Sequence, residues 1–224
     1  ITAGSFVNNG QVGSLGPLDV VALDTVLNDG VFIADSTLWV KANKNIINDK
    51  GIISAEASGN ISLRAVALSN KFGTIQSAKG IALSLGSLDN SAGALETGSF
   101  INSEQSTPDG DAKITIAGAN NTDAALTVLN KNGVMQADGN ITVNATQVLN
   151  QGGLIESMAG QVALSSVPDR SSALAQIDNS AGIIQAQTFV DLATPTLLNQ
   201  SGKILSLAGD TVIAGSSDLV SPVW

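Results

Sequence analysis

Cysteine and histidine are both absent from this 224-residue chain. Without cysteine there is no disulfide and no thiolate nucleophile. Without histidine there is no Ser-His-Asp triad and no imidazole metal site. The missing cysteine does not by itself name a compartment. Aromatic residues make up only 3% of the chain, so a globular core built on large ring fillers is not expected. Positive charge is scarce as well: ten Lys and Arg stand against nineteen Asp and Glu, for a net charge of −9. Phosphate backbones are held by clustered Lys and Arg, so nucleic acid is not an expected partner. No uncharged apolar run approaches the roughly 18 residues of a membrane-spanning helix, so membrane insertion is not expected. The chain begins at Ile1 with neither an initiator methionine nor a signal-peptide pattern, and reads as a mature segment or a piece of something longer.

What is present is a narrow apolar alphabet and many turn formers. Hydrophobic residues reach 43%, mostly Ile, Leu, Val and Ala, beside 23 glycines. They are arranged in a repeat: an apolar residue, any residue, then Asn-x-x-Gly, shortened to Asn-x-Gly at Asn8 and Asn28. Val128-Leu129-Asn130-Lys131-Asn132-Gly133 and Leu197-Leu198-Asn199-Gln200-Ser201-Gly202 are two copies. The marker asparagines are Asn8, Asn28, Asn48, Asn70, Asn90, Asn130, Asn150, Asn179 and Asn199, with successive gaps of 20, 20, 22, 20, 40, 20, 29 and 20. A fixed period of this size is the signature of a solenoid.

Within each period the apolar residues alternate, as in strands with one buried face. Two residues before the marker stand Phe6, Val26, Ile46, Leu68, Leu88, Val128, Val148, Ile177 and Leu197. Two residues after the turn glycine stand Val12, Phe32, Ile53, Ile75, Leu95, Met135, Ile155, Ile184 and Ile204, and two further on the residue is always small. A third strand carries pairs such as Leu38/Val40, Ile61/Leu63 and Ile141/Val143. The expected fold is therefore all-β, a single parallel β-helix spanning 1–224, with about 20 residues, three short strands and three corners per coil. Ile155 should face inward and Glu156 outward, so that Glu156→Ala is expected to change stability by less than about 0.5 kcal/mol. Helix is excluded by the spacing of two and by Gly or Asn interrupting every few residues. The leucine-rich L-x-x-L-x-L signature is missing.

Stacked coils place each marker Asn above another, where its amide can donate to one neighbour and accept from the other. The asparagines are thus expected to form a structural ladder. The glycines after them, Gly51, Gly73, Gly93, Gly133, Gly153, Gly182 and Gly202, fit positions that need a left-handed backbone.

The period breaks twice. The gap of 40 holds Pro108-Asp109-Gly110, and is either a coil without its Asn or a loop near 99–112. The loop is favoured. The gap of 29 implies an insertion near 167–176, around Val167-Pro168-Asp169-Arg170. Insertions in repeat proteins often decorate one side and bind there. The candidate binding residues are Asp109, Asp111, Asp169, Arg170 and Trp39, which lies between inward Leu38 and Val40 and so faces out. Paired carboxylates such as Asp109 and Asp111 could serve a polysaccharide lyase or glycoside hydrolase, which is the alternative function. The Asp109-Gly110-Asp111 set is poor for calcium, and no cofactor, metal or catalytic residue is assigned.

Val-Leu-Asn-x-x-Gly-x-Ile-x-Ser/Ala, followed by Asn-Ile-Thr-Val at Asn140–Val143 or Asn-Ile-Ser-Leu at Asn60–Leu63, resembles the filamentous haemagglutinin repeats. The likeness runs from Phe6 to about Ala214. It implies a right-handed parallel β-helix on a bacterial surface, in the shaft of an exoprotein exported by two-partner secretion. Adhesins and contact-dependent growth inhibition toxins belong to that group. No obvious copy of the Asn-Pro-Asn-Gly motif of the family's secretion domain is present, so the chain looks like shaft. The expected function is structural and non-enzymatic: a secreted shaft projecting an adhesive or toxic tip, with receptor or glycan contact through its loops. An outer-membrane export partner follows from the resemblance. End-to-end self-association is expected from open sheet edges unless the termini cap them, Pro222-Val223-Trp224 being one such plug.

Overall fold

The computed structural model describes residues 1–100, 108–118, 127–166, 174–215 and 218–220. The chain winds into a β-solenoid of about nine turns with about 21 residues per turn. Among the described residues there is no α-helix. Strand pairing is parallel and joins each strand to its counterpart one turn away, as in Val134–Ala137 with Leu154–Ser157. One turn, taken from the Asn130 region, contains the strands Thr127–Leu129, Val134–Ala137 and Ile141–Asn144.

Three strands per turn do not make three sheets. Among the described residues the second strands form a narrow sheet of nine, while marker strands and third strands together form a broad sheet of eighteen. The reason is visible at Asn60–Ser69 and Gly80–Asp89, where the third strand runs on into the next marker strand without a break. The corner expected there is a bend in a continuous strand.

In-register pairing stacks like on like. Phe32, Ile53, Ile75, Leu95, Met135, Ile155 and Ile184 are consecutive register partners and are all fully buried. Val26, Ile46, Leu68, Leu88, Val128, Val148 and Ile177 form a second buried row. Each such side chain contributes roughly 1.5–3 kcal/mol by leaving water. In two coils a serine ending the second strand closes the next corner. Ser77 Oγ donates to the Gly59 carbonyl at 2.8 Å and accepts from Gly80 N–H at 3.0 Å; Ser157 does the same with Gly139 and Gly160.

The gap of 40 is one enlarged coil. Leu88 pairs directly with Val128 and Leu95 with Met135, leaving no room for a coil between. Its extra length is split between two places, because the strand Lys113–Ala117 pairs in register in the middle. In the other break Leu174 is already buried and Gln176 pairs with Gln147, so the chain is back in the solenoid before the expected boundary at 176.

Candidate functional site

The marker asparagines form a continuous ladder. Asn8 Nδ2 donates to Asn28 Oδ1 at 2.7 Å, and the same bond repeats at 2.6–2.8 Å through Asn48, Asn70, Asn90, Asn130, Asn150 and Asn179 to Asn199. Each amide also reaches backbone. Asn150 Nδ2 lies 3.1 Å from the carbonyl of Gly153 and 3.1 Å from that of Ile183. All nine are buried. Amides this fully engaged hold turns together and have nothing left to offer a substrate.

The turn glycines have a different cause from the one expected. None of the seven has positive φ. The left-handed residue is the one before: Lys50, Phe72, Ala92, Asn132, Gly152, Ala181 and Ser201, at φ between 52° and 65°. Glycine is needed because the backbone passes too close to the coil beneath. A Cβ on Gly153 would stand 2.1 Å from the Asn130 carbonyl oxygen and 2.6 Å from Asn150 Oδ1.

The base of the enlarged coil gathers charge. Asp109 Oδ2 accepts from Lys79 Nζ at 2.7 Å, and Asp109 Oδ1 from Asp111 N–H at 2.9 Å. The hydrogen bond from Lys79 and that from the Asp111 amide hold the Asp109 carboxyl below its usual range, and Lys79 is raised by the same partner. Asp111 turns instead to Lys113, at 3.6 Å. Asp109 and Asp111 are thus each engaged by a different lysine. Behind them sits Asp138, fully buried, accepting from Ser99 N–H at 2.8 Å, Ser99 Oγ at 2.6 Å and Asp109 N–H at 2.8 Å.

Trp39 stands on the outer face of the broad sheet, half-buried between inward Leu38 and Val40. Its register partners are Asp19 and Ser62. One step along the same face, Lys41 pairs in register with Arg64.

A family model described as haemagglutinin repeat matches residues 1–65, 66–105, 115–166 and 156–221. The chain belongs to the haemagglutinin repeat family. No curated protein and no solved structure gives a match. In this haemagglutinin-repeat chain the ladder runs through all four matched segments, and the candidates divide into separate places. Asp109 and Asp111 lie at the enlarged coil, and Trp39 lies on the outer face of the broad sheet. Asp169, Arg170 and Pro222-Val223-Trp224 lie outside the described residues.

Three groups escape a reading of the sequence. Asp138 carries no signal, because its position is Asp35, Glu56, Ala78 or Met158 in other coils. Lys41 and Arg64 appear scattered until they are set one coil apart. Glu156 does face outward but is not free: it accepts from Gln136 Nε2 at 2.5 Å on one side and from Gln185 Nε2 on the other, a second amide ladder on the narrow sheet. Row alignment finds it, since Gln76, Glu96, Gln136, Glu156 and Gln185 share one outward position.

Proposed function

We propose that the chain is a shaft segment of a secreted bacterial exoprotein exported by the two-partner route, and that it acts as a spacer carrying an adhesive or toxic end away from the cell. The observation that carries this is the Asn ladder, continuous from Asn8 to Asn199 across both insertions. A fold in which each coil rests only on its neighbours can be completed coil by coil as the chain emerges. Absence of cysteine suits that route, because no disulfide has to form on the way. Family membership points the same way, to an outer-membrane export partner and a surface or secreted location. The enlarged coil near Asp109 and Asp111 is the natural place for contact with a receptor or glycan. Catalysis is not part of the reading, and the lyase or hydrolase alternative gains no support from two carboxylates taken up by separate lysines.

The test is removal of one whole coil, residues 130–149, beside removal of half a coil. Loss of a whole coil keeps every row in register and shortens the rod by about 4.8 Å. Behind an export domain and with its outer-membrane partner, that variant should reach the cell surface, and the half-coil variant should not. Failure of the whole-coil variant to be exported, while it still folds when purified, would overturn the reading.

A further inference from the structure

The broad sheet carries an arrangement that folding alone does not explain. Lys41 and Arg64 are direct register partners, about 4.8 Å apart along the rod, on the outer face of adjacent coils. Like charges placed opposite each other across a strand pair are unfavourable. Four of the other lysines meet acids, Lys44 with Asp24 at 3.0 Å, Lys71 with Asp89 at 3.5 Å, Lys79 with Asp109 at 2.7 Å and Lys113 with Asp111 at 3.6 Å, while Lys50, Lys131 and Lys203 have no ion pair among the described residues and are not stacked on another cation. Neither Lys41 nor Arg64 has an ion pair among the described residues. In a chain with nineteen acids and ten bases, a stacked and unneutralised cation pair stands out.

Two further observations converge on it. Lys41 and Arg64 line a surface groove of about 290 Å³, with Asn43 and Val66 also in its wall. That is close to the lower end of the size range of small-ligand sites. Trp39 lies two residues from Lys41 on the same strand and the same face, about 6.6 Å along the sheet. An indole face is electron-rich and attracts partly positive C–H groups laid over it.

We propose that this face is a binding subsite for an acidic sugar chain. The apolar face of one sugar ring lies on Trp39, and the carboxylate or sulfate of the next is held between Lys41 and Arg64, the guanidinium gripping it through two parallel N–H donors. Asn43 offers an amide to ring hydroxyls, and Asp19, the other register neighbour of Trp39, is an acceptor for them. A phosphate backbone is a poorer match, since it needs a long basic track and this chain is strongly acidic overall. The proposal is independent of the shaft reading and concerns a different surface from the insertions.

The test uses the whole 224-residue chain and three tetrasaccharides of equal length: tetragalacturonate, sulfated maltotetraose and unmodified maltotetraose. Binding is followed by calorimetry and tryptophan emission in low salt. At least one acidic sugar should bind ten-fold or more tighter than the neutral one, and should weaken as salt rises. The tighter of the two identifies the acid as carboxylate or sulfate. Lys41→Ser with Arg64→Ser should abolish this preference without lowering the melting temperature, because it removes a repulsion. Trp39→Phe should weaken binding several-fold while keeping the preference for acid. Equal binding of all three sugars, no binding by any, or full binding by the double variant would each overturn the proposal.

Discussion

The coil that runs from Asn70 to Asn90 and the enlarged coil that follows it carry the same rows, yet they close their corners differently. In the first, Ser77 Oγ bridges Gly59 and Gly80 within a 20-residue period. In the second, Thr97 Oγ1 still reaches a corner carbonyl, that of Ala112 at 3.0 Å, but extra chain has to be anchored as well. The next coil supplies the anchor, through the buried carboxylate of Asp138 on Ser99 and Asp109. The difference shows what a solenoid can tolerate. Core rows and ladder depend only on strand register, so chain can be added at a corner with little effect on the stack. Lengthening a loop costs only slowly in entropy. What the addition does need is a polar clasp of its own.

The comparison can be broken most strongly at the shared rows. Ile155→Ala should cost about 2–5 kcal/mol, through lost burial and the cavity left, and urea melts measure it. Next comes the ladder. Asn150 bonds to Asn130 and Asn179, so Asn150→Ala should cost roughly 1–3 kcal/mol. Asn8 has a ladder partner on one side only, so Asn8→Ala should cost clearly less; equal losses would mean that the amides act as turn formers alone. The clasp follows. Asp138→Ala should cost about 1–3 kcal/mol. Unlike Ser77→Ala, it should speed protease cleavage within 99–112 while leaving exchange protection elsewhere unchanged. A uniform loss of protection would make Asp138 part of the stack and erase the distinction between the two coils.

The smallest effect separates two glutamates of one outward row. Glu156 is held by Gln136 and Gln185, whereas Glu96 has no hydrogen bond among the described residues and burial raises its pKa. A raised carboxyl pKa means that the folded state binds a proton more readily than the unfolded one. Stability is therefore lost as pH climbs from the ordinary glutamate value through the raised one. Glu96→Gln removes that loss, so it should stabilise by less than about 1 kcal/mol at pH 7, with the gain vanishing in acid. Thermal melts at pH 7 and pH 3.5 read the difference. Glu156→Ala should destabilise instead, by about 1 kcal/mol.

The period, strand alternation, inward rows and ladder positions were all legible in the chain itself. A repeat of about 20 residues with spacing-two apolar patterning has few ways to bury its face, and stacking like on like is the one that satisfies every copy. Position in the period was enough to place Ile155 inward and Trp39 outward. Three-dimensional closeness decided the rest. Glycine at 153 follows from a carbonyl in the coil below, and the left-handed backbone falls one residue earlier, a shift that local turn chemistry does not reveal. The outward position of Glu156 was legible too, but its partners are 20 and 29 residues away in sequence and adjacent only across the stack. Asp138 lies 29 residues from Asp109 and 39 from Ser99. Lys41 and Arg64 become a cation pair only when coils are laid one on another. Period and face are properties of one coil, written in its own residues. Contacts between coils depend on register and corner geometry, and those exist only once the chain is stacked.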